Sequence, residues 1–135
     1  MTCAIHVPSH TEKLEVFYVP RTANFEAVLS VGELTDLNNS MISYYCTVDQ
    51  DVITGFEDVS HVSSFKVQDF NSISPYMYIR YKGKDDKELN IIVNDNIFLQ
   101  IDGIVYRMSK EFKEWINDGL PIATLPKGSR VSNCR

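Results

Sequence analysis

The sequence predicts an α+β fold dominated by an antiparallel sheet: a C-terminal meander over 76–108, one C-terminal helix over 110–118 and a second helix near 25–31. Three observations carry that prediction. Asp102-Gly103 joins two β-rich runs, and Asp-Gly is a strong two-residue hairpin signal because both turn positions need positive φ. Met77–Lys82 and Leu89–Val93 alternate apolar and polar residues, as strands with one buried face do. Behind the last strand, Phe112, Trp115 and Ile116 fall on one face at helical spacing.

A turn at Asp102-Gly103 pairs Ile101 with Ile104, Leu99 with Tyr106 and Ile97 with Met108. Paired residues share a face, so these six form an apolar one. Phe98, Gln100, Val105 and Arg107 form a mixed one. A slip of one residue would bury Gln100 and Arg107 instead, which specifies the register. Upstream, the strands at Met77 and Leu89 flank the charged loop Gly83–Asp86, and Asn94-Asp95-Asn96 turns the chain toward Ile97. Ser109 can cap the helix that follows, Glu111 suits its positive end, and Gly119 is placed to stop it.

The earlier chain reads in order. The segment to His10 has no clear period, and Leu14–Val19 is a strand ended by Pro20. Asn24–Val31 fits a helix with Phe25, Val28 and Leu29 on one side and Gly32 as its stop; a buried strand fits the same run. Leu37–Ser40 is a turn, Met41–Val48 a strand, and Asp49-Gln50-Asp51 an acidic loop. Val52-Ile53-Thr54 with Gly55-Phe56 reads as a short strand or its end, and Ser64–Asp69 as another with Phe65 and Val67 on one side. Leu120–Pro126 is extended, since its prolines exclude helix. The expectation is one domain over 1–135, with 1–10 and 127–135 frayed.

Composition narrows the function. With 44% hydrophobic and 23% charged residues the chain is a folded domain rather than a disordered one. No apolar run approaches a membrane span, and Met1–Ile5 lacks the basic start of a secretory signal. Three cysteines, Cys3, Cys46 and Cys134, are an odd number and not a disulfide framework, which points to a reducing, cytoplasmic location. A net charge of −5 argues against gripping nucleic acid by its phosphates. That charge is uneven. Residues 1–65 hold nine acidic groups against Lys13 and Arg21, and no Lys or Arg lies between Thr22 and Phe65.

Several chemistries fail on spacing. Cys3, His6 and His10 form the nearest approach to a zinc set, with His61 or another cysteine to complete it, yet no CxxC pair supports one, and no metal or other cofactor is assigned. Asp49, Asp51, Gly55, Glu57 and Asp58 suggest a calcium loop, but Thr54 and Ser60 stand where its glycine and glutamate belong. Asp58 and His61 could pair on a helical turn for acid–base work; a surface pair is the commoner outcome. Cys46, mid-strand, reads as a small buried hydrophobe rather than a nucleophile. Tyr76, Tyr78 and Tyr81 interleave with Arg80, Lys82, Lys84 and Lys87 as in single-strand binders, although the outer face of a strand explains that pattern too.

The acidic stretch is the remaining lead. Glu26, Glu33, Asp36, Asp49, Asp51, Glu57 and Asp58 lie in a segment with no compensating cation. Such a face can steer and hold a basic protein partner, whereas lysines folding back beside it would neutralise it. The preferred reading is a non-catalytic cytoplasmic binding protein, an inhibitor or immunity-type or phage anti-host factor, with no direct nucleic-acid or membrane contact. A free sheet edge is a second means of binding. The alternatives are a small enzyme using Asp58 and His61 or Cys46, and a structural subunit of a larger assembly, viral or other.

Overall fold

The computed structural model describes residues 12–19, 30–40, 42–70, 73, 75–83, 87–94, 97–120, 129–132 and 134. Eight strands form one open sheet: β1 Lys13–Tyr18, β2 Ser43–Thr47, β3 Lys66–Val67, β4 Met77–Lys82, β5 Glu88–Asn94, β6 Phe98–Ile101, β7 Ile104–Arg107 and β8 Arg130–Ser132. Their order is β3-β7-β6-β5-β4-β1-β2-β8. Every pairing is antiparallel except β2 with β8. The helices are α1 Val31–Leu34, α2 Gln50–Val59 and α3 Lys110–Glu114, the last running into a π-helical turn, Trp115–Gly119. The α+β class, the antiparallel meander and the C-terminal helix are as the sequence predicts.

The hairpin forms at the expected turn, with Asp102 at φ 51° and Gly103 at φ 80°. Its register is the expected one, Ile101 opposite Ile104 and Leu99 opposite Tyr106, and Met108 donates to the Ile97 carbonyl. Burial departs from the pattern at three places. Ile97 and Ile104 are exposed while Val105, on the mixed face, is buried. Ile104 sits beside the hairpin tip, beyond the reach of the packed core. On the face of Val105, Phe70 stands edge-on to Phe98 with ring centroids 5.0 Å apart.

Ser109 caps α3, accepting from the Phe112 amide, and Phe112, Trp115 and Ile116 are buried. The helix then widens, with the Leu120 amide reaching the Trp115 carbonyl. Gly119 permits this closure: a Cβ there would lie 2.6 Å from Trp115 Cδ1. On the same sheet face α2 packs Ile53 and Phe56 into a core with Leu14, Val16, Ile79 and Ile91. A second cluster, Val19, Leu34 and Ile42 with Tyr78, carries α1 on the opposite face, since Tyr78 alternates with the core residues Met77 and Ile79.

Three sequence expectations are corrected. Val52–Phe56 belongs to α2, not to a strand: a short β-branched apolar run fits either, and Asp49, accepting from the Asp51 amide, starts a helix. The same helix replaces the calcium-type loop. Gly32 lies inside α1 rather than stopping a helix, because Ser30 and Glu33 form a reciprocal capping box that begins it there; residues 24–29 of the expected helix lie outside the described set. Finally, the segment expected as a frayed tail contains β8, held by Tyr44 donating to Ser129, by Arg130 donating to the Leu37 and Asn39 carbonyls, and by a disulfide from Cys134 to Cys46.

Candidate docking surface

The acidic residues singled out by the sequence fall into two places. Glu33 and Asp36 belong to α1 and the turn after it; Asp49, Asp51, Glu57 and Asp58 belong to α2 across the sheet. Glu26 lies outside the described residues. The expected single face is therefore two smaller ones.

Several of these carboxylates have local duties. Glu33 accepts from the Ser30 amide at 2.9 Å, and Asp36 from the Asn38 amide at 3.0 Å. Asp49 is the α2 cap. Glu57 turns inward: the Tyr81 hydroxyl donates to it, and Glu12, itself buried, stands 3.1 Å from the same hydroxyl. Burial, reinforced by both carboxylates, pushes the Tyr81 phenol well above its ordinary value. Asp51 and Asp58 remain. They are seven residues apart, with Thr54 between them, and so share the exposed stripe of α2.

Among the described residues, none of Glu33, Asp36, Asp49, Asp51, Glu57 and Asp58 forms an ion pair. Among the described residues, no cation of the C-terminal half pairs with them. Glu57 and Asp58 also occupy the last turn of α2, which has no basic residue. An anion there opposes the helix dipole, at a cost of about 0.3–1 kcal/mol when exposed.

Among the described residues, the ion pairs that do form gather on Glu15, a site the sequence alone did not reveal. Glu15 on β1 faces Arg80 on β4. Arg80 Nε donates to its carboxylate at 2.9 Å, the Tyr44 hydroxyl donates at 2.6 Å, and Lys13 Nζ lies 3.8 Å away. Burial pushes the Glu15 carboxyl up, and the Arg80 and Tyr44 bonds with both positive charges outweigh it, so it is held below its ordinary range. The Arg80 guanidinium also covers the Phe17 ring at 5.2 Å. Strand alternation put Arg80 on the outer face; only the β1–β4 register adds its partner.

The catalytic candidates separate. No hydrogen bond or ion pair joins Asp58 to His61, which instead precedes a 3-10 turn at Val62–Ser64. Cys46 is buried, and its sulfur is bonded to Cys134, 88 residues on. The odd cysteine count misled here, and the cytoplasmic location drawn from it loses that support. Among the described residues no cluster of His, Cys, Asp and Glu is gathered for a metal, and no helix is long and apolar enough to cross a membrane. Cys3, His6 and His10 lie outside the described residues. No family model, curated protein or solved structure matches the chain.

Proposed function

We propose that the protein is a non-catalytic binding protein that docks the exposed acidic stripe of α2, headed by Asp49 and carried by Asp51 and Asp58, on a basic protein partner. The observation that carries this reading is the absence of any ion pair on those carboxylates among the described residues, together with acidic residues kept where the helix dipole disfavours them. Unneutralised charge of one sign steers an oppositely charged partner and sets its rate of encounter. An inhibitory role, of the immunity or phage anti-host type, suits such a surface. The Cys46–Cys134 disulfide favours a compartment where it stays oxidised.

The test uses the tagged protein and the basic partner it retains. Asp51→Lys with Asp58→Lys reverses the stripe and leaves the cap intact, while Glu57→Gln keeps a polar group facing Tyr81. Retention must weaken with added salt and fall about tenfold or more on the double reversal. Retention indifferent to both sinks the proposal. Catalytic turnover that depends on His61 would replace it with the enzyme reading.

A further inference from the structure

At the β3 border of the sheet lies a surface of the other sign. Lys66 on β3 stands directly opposite Arg107 on β7. Both are exposed, and no carboxylate among the described residues forms an ion pair with either, the neighbouring Asp69 included. Like charges facing each other across a ladder are destabilising, so the pair adds nothing to the fold.

Among the described residues, the strand that carries Lys66 pairs on one side only, with β7. The Gln68 amide donates to the Val105 carbonyl at 2.9 Å, and antiparallel ladders alternate bonded residues. Lys66 and Gln68 therefore face β7, while the backbone groups of Val67 point away from the sheet. Val67 is 63% exposed, with Ile104 on the same sheet face at 46%. On the face of Lys66 and Arg107, Phe98 is Arg107's cross-strand partner, and Phe70 beside it is 41% exposed. Unpaired backbone, a two-cation row on one face and apolar side chains on the other all meet at this border.

We infer that the β3 border takes an extended segment of another protein as an added strand, one whose residues alternate acidic and apolar. Its acidic side chains would lie beside Lys66 and Arg107, and its apolar ones beside Val67 and Ile104. Backbone bonds to Val67 supply affinity, and the alternation supplies register and specificity. The charge fixes the occupant. A second copy of the chain does not fit, because the outer strands of its described sheet, β3 and β8, carry Lys66 and Arg130 rather than acidic residues. This surface is independent of the α2 stripe, and the two can fail separately.

The probe is a fluorescein-labelled peptide of alternating glutamate and valine, read by fluorescence anisotropy. Saturable binding is expected, weaker at high salt and about tenfold weaker for the Lys66→Glu, Arg107→Glu double variant. A peptide of the same composition in two blocks must not bind. Val67→Pro removes the outward donor without touching the ladder to β7, and should weaken binding to a similar degree. Should that variant fold poorly, the wild-type protein with a peptide N-methylated on alternate amides, in both phases, gives the same answer: at least one phase must fail to bind. Absence of binding, equal binding of the block peptide, or indifference to N-methylation overturns the inference. So does a finding that the charge variants alter self-association while peptide capture stays unchanged.

Discussion

Arg80 reaches across from β4 to hold the Glu15 carboxylate of β1, Nε to Oε1 at 2.9 Å, on a sheet face where Glu15 is nine-tenths buried. The pair joins the neighbouring strands β1 and β4, with the Arg80 guanidinium over the Phe17 ring. Because the folded protein holds Glu15 below its ordinary value of 4.5, Glu15 contributes stability above that pH. The contribution is lost as pH falls through the folded value. Urea unfolding followed from neutral pH down to about pH 3 should show a steeper acid loss for the wild type than for Glu15→Gln. Superimposable slopes would rule out this role for the pair.

At alkaline pH the phenols govern. Burial raises Tyr44 and Tyr81 above their ordinary value of 10.0, and Glu15 in one case and Glu57 with Glu12 in the other raise them further. Their stabilisation is complete below pH 10.0 and is lost as pH rises above it toward the folded values. The double variant Tyr44→Phe, Tyr81→Phe should flatten that alkaline loss. At neutral pH Tyr81→Phe alone should cost about 1–3 kcal/mol, since Glu12 and Glu57 lose their shared donor. Chemical denaturation across the alkaline range tests both.

Reduction of the Cys46–Cys134 bond removes a constraint across 88 residues. A loss of about 2–4 kcal/mol is expected, read as a lower urea midpoint with dithiothreitol or in Cys134→Ser. Amide exchange should rise first in β8 and along β2. An unchanged midpoint would mean that Arg130 and the Ser129 contact hold β8 by themselves.

Gly119→Ala places a methyl group 2.6 Å from Trp115 Cδ1, so the buried indole or the turn must shift. A cost of about 1–3 kcal/mol is expected, with a changed near-ultraviolet circular dichroism signal from the only tryptophan. An unchanged signal and full stability would show that the turn can revert to an ordinary helix.

What could be read from the sequence was local. Asp102-Gly103 names its own turn type, so the hairpin register followed from two residues. Ser109 and Gly119 marked the ends of the last helix in the same way. Val52–Phe56 went astray because its β-branched residues suit a strand, and the deciding contact, Asp49 to the Asp51 amide, is one bond. The docking residues were legible as charges but not as a surface: α1 and α2 attach to opposite faces of the sheet, a fact carried by Leu34 and Phe56 finding different neighbours. Cys46 with Cys134, and Glu15 with Arg80, are far apart in the chain, and only strand order brings them together.

The parallel pairing of β2 with β8 has a consequence for synthesis. A ribosome makes the residues of β2 long before those of β8, with Cys134 following Cys46 by 88 positions. Throughout that interval the flank of β2 has no permanent neighbour, so a nascent chain is open to capture by chaperones or to faulty pairing there. Cys46 can be joined to Cys134, with an external oxidant taking up the two electrons, only once nearly the whole sheet has been translated.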